Sequence, residues 1–427
     1  TRNKERENML KFQNKTNHAE DAITAQQQES LQAKEREQLE ESSMITERNY
    51  YDPYSAENIM EISDTQYGPF LPFIKNKDIT DIDFNGKELW VRYTTNERKK
   101  ITDPSILEQL NTRFINSFAT NVANLVGKNL TPTENSIEAE TEDLRISILH
   151  ESVAVSGTCI CIRKVPPVQR ITPAKAIKEH YCEEKMLHFF ANCIRARMTM
   201  VLCGEPCAGK TEFLKFLTRF IPADQKAITV EDTNEIHYRS INPGKDGIEL
   251  RVNKYFSYED ALAKVLRLNP AWVMLSETRS TESKELVTCW SSGISGLTTL
   301  HTDDVRKIPD RILNMMPSRL DAERLENNVY TGLDIGALVD IRMNEKGEQE
   351  RYISQVAFFY RKNDRNNCEM LVRGGKLMEE DIYIPEEIQN KLDHAGIEDL
   401  FYSKELDDML QEERRKENLY RKGMITA

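Results

Sequence analysis

Apolar positions along this chain fall into stretches of period two, stretches of helical period and short unbroken runs, and the changes between them mark its elements. Residues 1 to about 50 hold no Gly or Pro and are rich in Gln, Glu, Lys, Asn and Ala, with isolated apolar positions such as Leu31 and Leu39. That stripe is too thin for a sustained heptad seam, so 1–60 reads as a polar helical or disordered arm, with a coiled-coil partner helix as the alternative. From 61 to 164 the pattern becomes that of a small α+β N-terminal domain. Residues 79–84 and 89–93 alternate on either side of Asn85-Gly86, a β-hairpin signature. Helical spacing follows over 106–125, then strand patterns over 144–149 and 158–162.

Residues 165–173 carry Pro166, Pro167 and Pro173, which excludes regular helix or central strand and marks a linker. Beyond it, 174–363 reads as an α/β domain. The run Met198 to Cys203 precedes a loop and the helix-like Glu212 to Leu217, and short apolar runs recur at 228–230, 272–275 and 297–300. Alternation over 338–343 and 351–360, around Asn344-Glu345-Lys346-Gly347, predicts a closing hairpin. Residues 364–427 read as a mainly helical C-terminal extension, with Leu406, Met409 and Leu410 at helix spacing.

The length of 427 residues allows two to three domains at roughly 150 residues each. Charged residues make up 30%, mean hydropathy is -0.61, and no apolar run approaches the ~20 residues that span a bilayer. The first residues lack the apolar core of a signal peptide. Eight cysteines lie without paired metal spacing, so no zinc site is expected. A reducing cytoplasm is the expected setting, with any membrane association peripheral. The net charge of -12 argues against sequence-independent gripping of nucleic acid over the whole surface and leaves a local basic groove open.

The chemistry centres on Gly204-Glu205-Pro206-Cys207-Ala208-Gly209-Lys210-Thr211, a complete G-x-x-x-x-G-K-[ST] phosphate loop between an apolar run and a helix. Its glycines let successive N–H groups face a polyphosphate, and the helix N-terminus adds partial positive charge. Lys210 is the expected contact for the β- and γ-phosphates, and the Thr211 hydroxyl a ligand of Mg²⁺. Downstream, 228–231 is a strand ending in Glu231-Asp232, two carboxylates suited to the ion or its waters. The strand at 272–275 ends at Ser276-Glu277, where a carboxylate orients and deprotonates water in line with a γ-phosphate, so Glu277 is the expected base. His301 ends another strand and is either a γ-phosphate contact or structural. Cys207, at a helix N-terminus, is either a reactive thiol or a small residue filling a tight loop.

The order of these boxes resembles the hexameric ATPases of type II and type IV secretion, pilus assembly and conjugation, over residues 62 to 360. Residues 229–235 match the family's acidic box, Leu266 to Ala271 with Ser276-Glu277-Thr278-Arg279 its Walker B segment, and 293–302 its histidine box. The resemblance implies a RecA-like P-loop NTPase domain, ATP and Mg²⁺ as ligands, a homo-hexameric ring, and inner-membrane components of a secretion or pilus machine as partners. The short N-terminal domain and the lack of C-x-x-C pairs are more similar to the CpaF-like and type IV secretion branch. By the same likeness Arg145 and Arg163 contact nucleotide phosphates from the N-terminal domain, a task suited to a permanently charged fork; the alternative is surface ion pairs. Ala271, Ser276, Ser280 and Ile294 depart from the family's usual residues. An ATP-binding scaffold without turnover is the alternative function. A P-loop GTPase, which the string Asn390-Lys391-Leu392-Asp393 formally allows, is a further one.

Overall fold

The computed structural model describes residues 62–280, 282–316, 322–347, 349–378 and 382–421; the arm expected over 1–60 lies outside them. In the N-terminal domain, strands β1 (Ile79–Phe84), β2 (Leu89–Tyr93), β3 (Arg98–Lys100), β4 (Ser136–Glu140), β5 (Leu144–Leu149) and β6 (Cys159–Lys164) form an antiparallel sheet in the order β3-β2-β1-β6-β5-β4. The expected hairpin pairs Ile82 with Val91, and Ile82 also faces Ile162 across the sheet. The helix Thr112–Leu125 starts where Asn111 Oδ1 accepts the Phe114 N–H at 3.0 Å. It buries Ile115, Phe118 and Val122 against the sheet's apolar face.

The larger domain is built on nine strands: β7 (Met200–Cys203), β8 (Ala227–Glu231), β9 (Gly247–Arg251), β10 (Trp272–Leu275), β11 (Ser295–Leu300), β12 (Ile335–Met343), β13 (Gln349–Lys362), β14 (Arg365–Arg373) and β15 (Lys376–Leu377). Their order is β15-β14-β13-β12-β7-β11-β10-β8-β9, parallel from β12 to β9 and antiparallel from β12 to β15. The central strands are apolar on both sides because both faces are covered. Met200 and Leu202 point into one core with the helices Glu184–Arg195 and Lys210–Thr218, while Val201 and Cys203 point into another with Tyr258–Val265 and Ser283–Ser291.

The boundary expected at 363 is corrected. Asn363 and Asp364 take left-handed backbone (φ 53° and 59°) and turn β13 directly into β14, so the main sheet continues through Leu377. An Asn-Asp pair suits a two-residue hairpin loop that needs positive φ at both positions. The expected C-terminal helices are Glu386–His394 and Lys404–Arg421, parted at Gly396 (φ 66°). They belong to the larger domain's core: Leu406 and Leu410 are fully buried, and Asn192 Nδ2 donates to the Asp399, Leu400 and Tyr402 carbonyls. Glu413 Oε2 accepts the Ala174 N–H at 2.8 Å and the Thr172 hydroxyl at 3.0 Å, where the chain leaves the linker.

The linker itself is irregular from Val165 to Thr172, and Pro173 opens the next helix. It is fastened along its length. His237 Nε2 lies 2.7 Å from the Val165 carbonyl, Lys215 Nζ donates to the Pro166 carbonyl at 3.2 Å, and Arg219 donates to the Gln169 side chain. Among the described residues no helix is long and apolar enough to cross a membrane.

Candidate nucleotide site

Strand order places the chemistry. The chain runs from β7 through the phosphate loop and its helix to β8, but β11 and β10 lie between those two strands. Glu277 after β10 and His301 after β11 therefore end at the same sheet edge as the loop, at the kind of crevice where open parallel sheets bind ligands.

The loop needs its glycines. At Gly204 (φ 146°) a Cβ would stand 2.2 Å from the Val339 carbonyl oxygen, so the backbone lies directly on β12. Gly209 (φ 98°) precedes the helix Lys210–Thr218, whose first N–H groups lack intrahelical partners. Cys207 adopts left-handed backbone (φ 64°) without being glycine. These features fit a polyphosphate.

Lys210 is nearly buried, and its Nζ donates to the Gly204 carbonyl (3.0 Å) and the Glu205 carbonyl (2.9 Å) and lies 3.1 Å from His301 Nδ1. Burial lowers its pKa, against the opposing charge of Glu277. His301 Nε2 lies 3.1 Å from Glu277 Oε1, and Arg279 Nη2 2.9 Å from Glu277 Oε2. Arg279 also reaches Asp232 Oδ2 at 3.3 Å. One continuous string thus joins Lys210, His301, Glu277, Arg279 and Asp232. Glu282 Oε1 holds its turn by accepting the N–H groups of Arg279 (2.6 Å) and Ser280 (2.9 Å).

The pair Glu231-Asp232 divides. Glu231 is buried, and its Oε1 accepts the N–H groups of Glu235 and Ile236, both at 3.1 Å, with Ser276 beside it. Burial pushes this carboxyl well above the usual range. Glu231 ends β8 with its carboxylate taken up by those N–H groups, whereas Asp232, in the bend just past the strand, reaches Arg279, so of the two carboxylates expected near the ion Asp232 is the one that faces the cleft. Ser276, a departure from the family pattern, is positioned by this contact. Thr211 stands one residue into the helix, half-buried.

The N-terminal domain closes over the same edge. Arg163 Nε bonds Asp81 Oδ1 at 2.8 Å, and its Nη2 lies 3.9 Å from Cys207 Sγ in the phosphate loop. Arg145 lies 3.7 Å from Glu138, and desolvation raises the pKa of half-buried Glu235 against the charges of both arginines and Arg279. The ion-pair alternative is thus seen for both residues, and Arg163 in addition reaches the phosphate loop. Arg251 Nη2 ties the domains through Glu140 at 2.8 Å while its Nε donates to the Asp232 carbonyl at 3.1 Å.

Sequence reasoning missed Arg351. From β13 it donates to the Cys207 carbonyl at 3.4 Å and to the Thr94 carbonyl at 2.5 Å. Only the tertiary pairing of β13 brings it there. The guanine-reading string is spent on packing: Lys391 Nζ lies 2.7 and 2.6 Å from the two Asp334 carboxylate oxygens, Leu392 is buried, and Asp393 accepts from Gln389, all within one helix.

Comparison with known proteins agrees. An uncharacterised protein of Bacillus anthracis is 31% identical over 262 residues, 61% of this chain and 58% of that protein. The VirB11 protein of Rhizobium radiobacter is 25% identical over 185 residues, 42% of this chain and 52% of its own length. The chain thus spans about half the length of these curated relatives. Among solved structures, the ATPase DotB of Yersinia pseudotuberculosis superposes with a TM-score of 0.51 at 13% identity, covering 89% of this chain and 95% of that one; this likeness bears on the fold alone, a RecA-like P-loop domain behind a smaller α+β domain. The family described as type II/IV secretion system protein matches residues 77–418, through both domains, and the chain belongs to that family.

Proposed function

We propose that this chain hydrolyses ATP as a ring motor, a homo-hexamer working at the cytoplasmic face of the membrane on a type IV secretion, conjugation or pilus assembly machine. The observation that carries the reading is the string Lys210–His301–Glu277 beside the phosphate loop. Family membership and the likeness to VirB11 support the kind of machine.

The residues divide the work. Residues 204–211 present backbone N–H groups and a helix N-terminus to the triphosphate, and Lys210 exchanges its bonds to the Gly204 and Glu205 carbonyls for phosphate oxygens. Arg163 approaches the loop from the N-terminal domain and adds positive charge where the phosphates lie. Thr211 and Asp232 are the residues to hold Mg²⁺, which when bound neutralises phosphate charge. Glu277 accepts the proton of the attacking water, while Arg279 and His301 fix the direction of its carboxylate.

Phosphate release by the purified protein tests this. Glu277→Gln keeps the shape and removes the base, and turnover is expected to fall roughly 10²-fold or more with ATP binding retained. Lys210→Ala is expected to lose binding or turnover. Equal release by wild type and Glu277→Gln would instead favour the ATP-binding scaffold.

A further inference from the structure

Arg351 has an unusual placement for a guanidinium. It projects from β13 into the seam between the domains, where burial lowers its pKa, with Arg170 and Arg92 adding like charge. It forms no ion pair with a carboxylate among the described residues, and its two hydrogen bonds go to neutral carbonyls, Cys207 in the phosphate loop and Thr94 in the N-terminal domain. Its Nε is sealed from solvent with no partner. The stem lies across the loop as well, since a Cβ on Gly209 would meet Arg351 Cδ at 3.1 Å.

Both ends of this bridge are well defined. Thr94 sits in the tight turn between β2 and β3, its N–H donating to the Asp78 carbonyl at 2.7 Å, and the neighbouring Asn96 donates to Gln349 at 2.7 Å. On the loop side, the Ala208 N–H donates to the Glu205 carbonyl at 3.3 Å and Lys210 is held by carbonyls of the same loop. Phosphate oxygens compete for those donors. Turning the 207–208 peptide's N–H inward to an anion turns its carbonyl, the Arg351 acceptor, outward toward the guanidinium, because the two groups of a planar peptide point in opposite directions.

We infer that Arg351 is a positioning residue that transmits phosphate occupancy of the loop to the N-terminal domain, through the Cys207 carbonyl on one side and the Thr94 carbonyl on the other. This rests on the nucleotide-binding reading above. A fork-shaped cation suits the task, since one rigid plane holds two acceptors and a shift of one is felt by the other.

Amide hydrogen exchange of the full chain, with and without Mg-ADP, separates the possibilities. In wild type, slower exchange is expected in residues 204–211 together with a change in residues 93–97. Arg351→Ala is expected to keep the loop's protection and lose the change at 93–97. Arg351→Lys, which keeps the charge without the fork and guards against misfolding of the alanine variant, is expected to lose it too. An undiminished response at 93–97 in either folded variant overturns the inference, as does a wild type whose loop responds while 93–97 does not. If the wild-type loop itself shows no response, the nucleotide-binding reading falls and the inference with it.

Discussion

Lys210 has three donors and three partners within reach, two loop carbonyls and a histidine ring nitrogen. A buried ammonium is tolerable only when so satisfied. Phosphate oxygens add a second, opposite charge to bonds that the ammonium now makes to neutral carbonyls, so a polyphosphate can take this lysine over without leaving it unpaired. His237 makes a different case. Burial, with the charge of Lys215, pulls its pKa from 6.5 down to about 4, while its Nε2 meets the Val165 carbonyl. The unfolded chain therefore binds the extra proton first, so this group's contribution to stability is complete above about 6.5 and declines as pH falls toward 4. Urea titrations between these limits are expected to lose on the order of 2 kcal/mol through this group, and His237→Gln to flatten the slope; an unchanged slope would remove His237 from the account. The expectations for Lys210, Glu277 and His301 rested on hydrophobic pattern: Glu277 and His301 follow the buried strands β10 and β11, and Lys210 opens the helix after β7 and the phosphate loop. Arg351 lies 144 residues from Cys207 in an ordinary hairpin, and no local signal marks it.

At the scale of elements, the period-two and unbroken apolar runs located the N-terminal hairpin, the strands beside the phosphate loop and the hairpin of β12 and β13, because burial on one or both faces imposes those patterns. β14 escaped because it lies near the sheet edge, where most of its residues are only half-buried and alternate weakly. The last helix was visible from Leu406 and Leu410, but its docking was not, since the residues it packs on and bonds to are distant in sequence. Glu413 caps the helix that begins at Pro173 from 239 residues away in sequence, bonding the Ala174 N–H. Glu413→Ala is expected to cost about 1–2 kcal/mol and to speed amide exchange at 174–176, seen by thermal melting and exchange mass spectrometry; intact protection there would show that the cap contributes nothing.

Taken whole, the molecule holds two cores against each other across a charged seam. From the N-terminal side come Arg145 and Arg163, and from the other side Asp232 and Glu235, with Arg251 and Glu140 crossing between. A triphosphate entering that seam meets the arginines, so Arg163→Ala is expected to weaken ATP binding roughly tenfold, the worth of one lost bond to a charged group. Fluorescent-nucleotide titration measures it, and unaltered affinity would confine Arg163 to its Asp81 pair. The proline-bearing stretch between the cores has one more consequence. Because Lys215 and Arg219, which lie on and just beyond the helix that starts at the phosphate loop, grip Pro166 and Gln169, this stretch is no slack tether. A rotation of that helix would draw on the stretch directly, and the smaller lobe would be steered rather than merely released.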